Sequence, residues 1–486
     1  MSTDSENTRR DILHLIGVGA GTLAASPLLA ACSKTEIIAN AGTTVDAGNA
    51  CKNFWLCGNH APVGEAEAFD LAVEGSLPTS LRGTYLRNGP NPQSGSSNHW
   101  FAGDGMVHAV RLEDGKASWY RSRYVETAVL GKPPIMGPPN LSQHPANTSI
   151  LFHNGRTYAL AEAGIPYEIS RDDLSTVGTH NYGGTLSGAM TAHPKIDHQT
   201  GELLFFGASV GAPRLDYWEV SAGGKITHSQ KIELPESILS HDFQITPSHA
   251  IFLDVPLVFN LALAIKTGGL GYQWRPQNGA RIGVLPRGTG GNPIQWFEIE
   301  ECYIFHTVNA FHDPADSNQI HLDVVRYPKM WVNGPTDFSY PGRLTRYTLN
   351  LTTGTVSQQV LNQRTVEFPV IDGRRQGQAH QFGYAIVDPQ NSVGGSPEIM
   401  KFDFNSGTAT THILGGNLLT GECTFVPESS RAGEDNGWLL SYAYHPPSQG
   451  GRLLVFDATD ISKGPVASVI LPQRVPYGFH GTFIPV

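Results

Sequence analysis

Along most of the chain, short apolar runs alternate with clusters of Gly, Pro, Asn and Asp. GTYLRNG at 83–89, ELLFFGAS at 202–209, HAIFLDVPLVF at 249–259 and GRLLVFDA at 451–458 have this form. Several runs alternate with period two, as a half-buried strand does. MVHAVRLEDGKASWYRSRYVE at 106–126 holds two such runs joined by Asp114-Gly115, a pair suited to the two-residue turn of a β-hairpin. GRLTRYTLNLTTGTVSQQVL at 342–361 repeats the pattern. Helical periodicity is nearly absent; VFNLALAIKTG at 258–268 offers one helical turn or two. The pattern predicts an all-β chain of many short strands in one unit. A β-propeller or a large sandwich fits the size. No clean repeat of about 40 residues appears, so WD40 and kelch arrays are not supported. Periodicity does not choose between propeller and sandwich.

Composition agrees with a large packed core. Hydrophobic residues make up 40% of the 486 and charged residues 16%. The 54 glycines and 33 prolines supply turns between strands. The formal net charge of −10, without any basic run, argues against a nucleic-acid partner. Cys32, Cys51, Cys57, Cys302 and Cys423 form no CxxC, so zinc-ribbon and thioredoxin-type readings fall away. Cys51 and Cys57 could close a small disulfide in an oxidising compartment. Cys302 and Cys423 lie in apolar stretches, as buried thiols do.

The N-terminus reads as an address. Arg9-Arg10 precedes a Gly/Ala-rich apolar run from Ile12 to Ala31, the order of a twin-arginine (Tat) export signal. The run ends Leu29-Ala30-Ala31-Cys32, which resembles a bacterial lipobox with Cys32 as the lipidated residue. Residues 1–32 are therefore expected to be a signal segment and 33–65 a polar, Gly/Ala-rich linker. The folded domain is expected over 66–486. The expected location is the periplasmic side of a bacterial envelope, with membrane association through this segment or a lipid; otherwise the protein is cytoplasmic. An uncleaved transmembrane anchor is the competing reading of the apolar run.

Of the 19 histidines, four share a context: His193 in MTAHPKID, His241 in LSHDFQIT, His306 in YIFHTVNAF and His480 in YGFHGTF. Each lies in or beside a strand-like apolar run, where an unpaired imidazole is costly. His60, His153, His180, His228, His321, His412 and His445 sit in polar or turn-like stretches and read as surface residues. His99, His108, His198, His249 and His380 read as structural. The four can meet only if the fold gathers distant strands around a centre. By spacing alone they read more simply as four separately satisfied core histidines.

At these residues the chain resembles the carotenoid cleavage oxygenase family, which includes apocarotenoid oxygenases, lignostilbene dioxygenases and the retinal-pigment-epithelium isomerase. The matching blocks run in family order from Arg87 to the C-terminus. Among them are LRNGPNPQ at 86–93, ANTSIL at 146–151, MTAHPKIDHQTGELLFFG at 190–207 and EFPVIDGRRQG at 367–377. ECTFVPE at 422–428 and the terminal HGTFIPV complete the set. The resemblance implies a seven-bladed β-propeller with a dome of loops and short helices over its metal face. It implies one Fe(II) per chain, held by His193, His241, His306 and His480. Three glutamates would orient the imidazoles: Glu162 for His241, Glu367 for His306 and Glu422 for His480, leaving His193 without a carboxylate. Thr148 matches a family threonine whose methyl group points at the iron. Imidazole also suits zinc and copper, so the choice of iron rests on the resemblance.

The implied reaction is cleavage of a C=C bond by O₂, the co-substrate, to give two carbonyl products from a hydrophobic alkene. Phe101, Phe243, Phe311 and Trp274 are candidate tunnel lining. The family often has Asn-Ala-Trp-Glu where this chain has Asn309-Ala310-Phe311-His312, and Pro where it has Cys423. Both departures put pocket shape in doubt. Stilbene-cleaving members commonly carry Lys before the first glutamate, and here that position is Ala161. This favours a carotenoid or apocarotenoid over a hydroxystilbene; within the class, a stilbenoid or phenylpropanoid alkene is the alternative substrate. A propeller that binds polyenes without turnover is the alternative from another class.

Overall fold

The computed structural model describes residues 53–132, 140–209, 212–267, 270–288, 291, 293–388 and 394–486. The segment read as an export signal lies outside the described residues. Within them the chain is mostly β-strand. The one α-helix among the described residues is Leu261–Thr267, in the stretch expected to supply one or two turns. No described helix is long and apolar enough to cross a membrane.

The strands pair antiparallel, mostly with their neighbours in sequence. Four-stranded sheets are built from strands within 149–179, 195–233 and 244–299. The strand Thr355–Ile371 is long enough to be shared by two four-stranded groups, so Tyr303–His312 through Thr408–Ile413 form one seven-stranded sheet. A six-stranded sheet joins Val73–Gly75 to strands between 419 and 470. A two-stranded ribbon pairs Leu257–Phe259 with Tyr272–Trp274. In the remaining sheet the last strand, Gly481–Pro485, pairs with Gly83–Pro90, setting Phe483 opposite Tyr85.

Local sequence explains these elements. Asp114 and Gly115 take φ of 50° and 74°, and the flanking strands meet with Glu113 opposite Lys116. Positive φ at both turn residues defines the hairpin turn whose twist matches that of the strands, and Asp-Gly tolerates it. Asn154-Gly155 repeats the device, with φ of 48° and 74°. Burial follows position in the sheet. Gly83–Pro90 and Tyr303–His312 are buried nearly throughout, which is why YIFHTVNAF reads as an unbroken apolar run. Ile226–Glu233 alternates half-buried and exposed positions, as a strand with one wet face does.

Apolar side chains fill the spaces between sheets. Phe206, Phe243 and Phe252 are fully buried in one such cluster, where truncation to Ala costs about 3–5 kcal/mol. Phe243 and Phe252 stack with centroids 5.7 Å apart. Cys302 and Cys423 are free and buried, as expected. Cys57 is disulfide-bonded, its partner lying outside the described residues.

Residues 53–65, expected to end a linker, are part of this packing. Two short 3-10 turns cover Phe54–Leu56 and Gly58–His60, and Asn59 and His60 are buried. Asn91 ties the segment down by exchanging hydrogen bonds with the backbone of Val63. Composition suggested a linker because the segment has few aliphatic residues; its anchors are aromatic and polar.

Candidate metal centre and cavity

Four terminal strands, one from each of four sheets, bring the four histidines together. His193 precedes Lys195–Asp197, His241 precedes Gln244–Ile245, His306 lies within Tyr303–His312, and His480 precedes Gly481–Pro485. One ring nitrogen from each lies within 4.8 Å of all the others. His193 Nε2 is 3.0 Å from His241 Nε2, which is 3.3 Å from His306 Nε2.

Carboxylates take the opposite ring nitrogens. His241 Nδ1 lies 2.7 Å from Glu162 Oε1. His306 Nδ1 lies 2.5 Å from Glu367 Oε2, and His480 Nδ1 lies 2.7 Å from Glu422 Oε1. His193 has no carboxylate partner among the described residues. A carboxylate fixes the Nδ1–H tautomer, so the Nε2 atoms are left as lone pairs facing one another. Facing lone pairs repel unless a shared cation sits between them. Separations of 3.0 and 3.3 Å also suit neighbouring ligands on a cation bound at about 2.1 Å. The donor set therefore fits a divalent metal, and the three carboxylates would balance its charge.

The glutamates are held in turn. Tyr327 donates to Glu367 Oε1 at 2.8 Å, and the Phe368 N–H donates to Oε2. Burial alone would raise the Glu367 carboxyl, but His306 and these donors hold it below the usual range. The backbone enables this. Pairing shifts register between Glu367 and Val370, and Phe368 takes φ of 51°. Such a bulge re-aims a side chain beside a site. The Gly481 N–H donates to Glu422 Oε2 at 2.8 Å. Burial, then the neighbouring imidazoles and Lys195, hold His193 well below the usual histidine pKa.

Beside the imidazoles opens a cavity of about 890 Å³, with His241, His306, His480 and Thr148 in its wall. The rest is mainly aromatic and aliphatic, including Trp100, Phe101, Phe305, Phe338 and Phe479. Its other histidines are neutral at pH 7. Burial lowers His60 to about 3 and His144 to about 4.

The family model for retinal pigment epithelial membrane protein matches residues 60–485. A carotenoid cleavage oxygenase of Mycobacterium tuberculosis is 37% identical, over 91% of this chain and 99% of its own length. The chain belongs to the carotenoid cleavage oxygenase family. A carotenoid 9,10(9',10')-cleavage dioxygenase of Arabidopsis thaliana is 33% identical, over 88% of this chain and 89% of its own. The crystal structure of Pseudomonas brassicacearum lignostilbene dioxygenase superposes with a TM-score of 0.81 at 28% identity, covering 90% of this chain and 99% of that one. The protein is accordingly an enzyme of the dioxygenase class.

Not every residue expected at the site of this carotenoid oxygenase reaches it. Thr148 lines the cavity, and its hydroxyl donates to Asn147 Oδ1 at 3.0 Å. Ala161 and Phe101 line it too. Phe243, Phe311 and Trp274 do not. Phe243 is core, Trp274 packs against another core cluster, and Phe311 lies between His321, His380 and the Arg346 guanidinium. Both departures from the family pattern, at Phe311-His312 and Cys423, also fall outside the lining. In the other direction, His60 was expected at the surface. It is 3% exposed and packs edge-on to Trp100 and Tyr477 in the cavity wall. His153 is likewise buried, bonded to Gly201 O. Nothing in CGNHAP signals either burial or the cavity for His60.

Proposed function

We propose that this protein is a non-haem Fe(II) dioxygenase that cleaves one C=C bond of a carotenoid or apocarotenoid to give two aldehydes. In this reading His193, His241, His306 and His480 hold the iron, and Glu162, Glu367 and Glu422 orient three of them. The sheets are read as seven blades around the metal, the shared seven-stranded sheet counting as two. The observation that carries the proposal is the convergence of four imidazoles, three of which line the wall of a largely apolar cavity.

Bound iron supplies the activation of O₂ that an unreactive alkene requires. The overall change breaks C=C and O–O and forms two C=O bonds. It takes up no proton and no outside electrons, so the cavity needs neither a general acid nor a reductant. The lining suits that requirement: its glutamates, Glu162 and Glu367, are committed to His241 and His306, and His60 and His144 stay neutral. Aromatic walls bind a polyene by burying it, at about 25 cal/mol per Å² of apolar area. They also exclude water from the reacting bond. Thr148 lines the cavity with its hydroxyl committed to Asn147, and in this reading its methyl group would restrict access to a bound metal.

A stilbenoid substrate is the second reading, supported by the likeness to the lignostilbene dioxygenase. Ala161 in the wall favours the carotenoid, because it offers no ammonium to a phenolic oxygen. The test is anaerobic purification, loading with Fe(II), and assay of apocarotenals and hydroxystilbenes with O₂. Aldehydes are identified by mass spectrometry. Iron-loaded protein that binds polyenes and never cleaves them refutes the proposal; cleavage of hydroxystilbenes alone selects the second reading.

A further inference from the structure

Among the described residues His193 has no orienting carboxylate, yet its ring sits 4.4 Å, centroid to centroid, from both His241 and His480. A different group holds its chain segment in place. Asp242, next to His241, is 2% exposed and receives four donors. Lys195 Nζ, two residues beyond His193, lies 2.7 Å from Oδ1. The N–H and hydroxyl of Thr307, next to His306, donate to Oδ2 at 2.8 and 2.6 Å. The Phe243 N–H donates to Oδ1 at 2.8 Å. One carboxylate thus ties together the segments bearing three of the four histidines. Thr191 adds a smaller link: its hydroxyl donates to His241 O at 3.2 Å and accepts from His193 N–H at 3.2 Å.

We propose that Asp242 is a positioning residue for the metal, locking the segments of His193, His241 and His306 in one register through Lys195 and Thr307. The inference rests on the metal reading above. Every partner of Asp242 is a donor, so only a full carboxylate satisfies them. An amide nitrogen would meet a donor wherever it pointed. The Lys195 ammonium, itself largely buried, would lose its counter-charge.

The test is Co(II) and Fe(II) affinity by chelator competition, with the visible absorption bands of the Co(II) form as signature and circular dichroism as the check of fold. Asp242→Asn is expected to weaken metal binding by roughly 10–100-fold, the range for outer residues that orient ligands, and to shift the bands. Lys195→Met leaves Asp242 its three hydrogen bonds, so it remains informative where Asp242→Asn does not fold. It is expected to weaken binding by about tenfold, the lower end of that range. The double variant Asp242→Asn/Lys195→Gln rebuilds a neutral amide–amide link and is expected to bind more tightly than Asp242→Asn. Wild-type affinity and bands in either folded single variant overturn the proposal, as does a double variant no tighter than Asp242→Asn. His306→Ala with full metal content would instead overturn the metal reading itself.

Discussion

Replacing Glu367 with Ala removes the acceptor of three buried donors at once: His306 Nδ1 at 2.5 Å, the Tyr327 hydroxyl at 2.8 Å, and the Phe368 N–H. Each donor left unpaired costs about 1–3 kcal/mol. His306, no longer fixed in one tautomer, also loses the basicity a carboxylate confers. Fe(II) affinity is expected to fall by roughly 10–100-fold, about 1.4–2.7 kcal/mol. Tyr327→Phe removes one donor and leaves the carboxylate on His306, so its loss should stay below about tenfold. His306→Ala, which removes the ligand, should abolish binding. The assay is anaerobic competition between protein and a coloured Fe(II) chelator, with thermal melting run alongside. Equal affinities for wild type and Glu367→Ala would refute the idea that this carboxylate tunes the metal. So would a larger loss in Tyr327→Phe than in Glu367→Ala.

Ala161→Lys places an ammonium in an apolar wall. It should lower kcat/KM for apocarotenals at least about tenfold through unpaired polar burial, while improving hydroxystilbene binding; unchanged selectivity in product analysis would count against the role of this position. Stability should fall with pH below neutrality. Burial lowers His60 to about 3 and His99, His144 and His380 to about 4, from an ordinary 6.5. Between those values the unfolded chain binds protons that the folded chain refuses, so each histidine removes up to about 1.4 kcal/mol per pH unit as pH drops from 6.5 towards 4. Denaturant midpoints flat from pH 7 to 4.5 would contradict this. Export predicts mature protein in the envelope fraction; cytosolic protein with an intact N-terminus would remove the twin-arginine reading.

The strand pattern made the all-β architecture legible, because turns such as Asp114-Gly115 and alternating runs are local signals. The four histidines stood out through their apolar neighbours, and family motifs singled out the glutamates now seen beside three of them. What the sequence left obscure is which side of a wall a buried residue faces. Phe243 and Phe101 look alike in sequence, yet one fills the space between sheets and the other faces the cavity. His60 was misread because its burial comes from distant partners, Trp100 and Tyr477, rather than from its own segment. The Asp242 cluster was invisible because its three segments meet only after folding.

The pairing of Gly481–Pro485 with Gly83–Pro90 carries a consequence for biosynthesis. A sheet begun near residue 83 stays one strand short until residue 485 has left the ribosome. His480 immediately precedes that same late strand, so a chain not yet extended to residue 480 can present at most three of the four imidazoles. Completion of the sheet and completion of the four-histidine cluster thus become a single event, and a chain stalled before residue 480 is denied both.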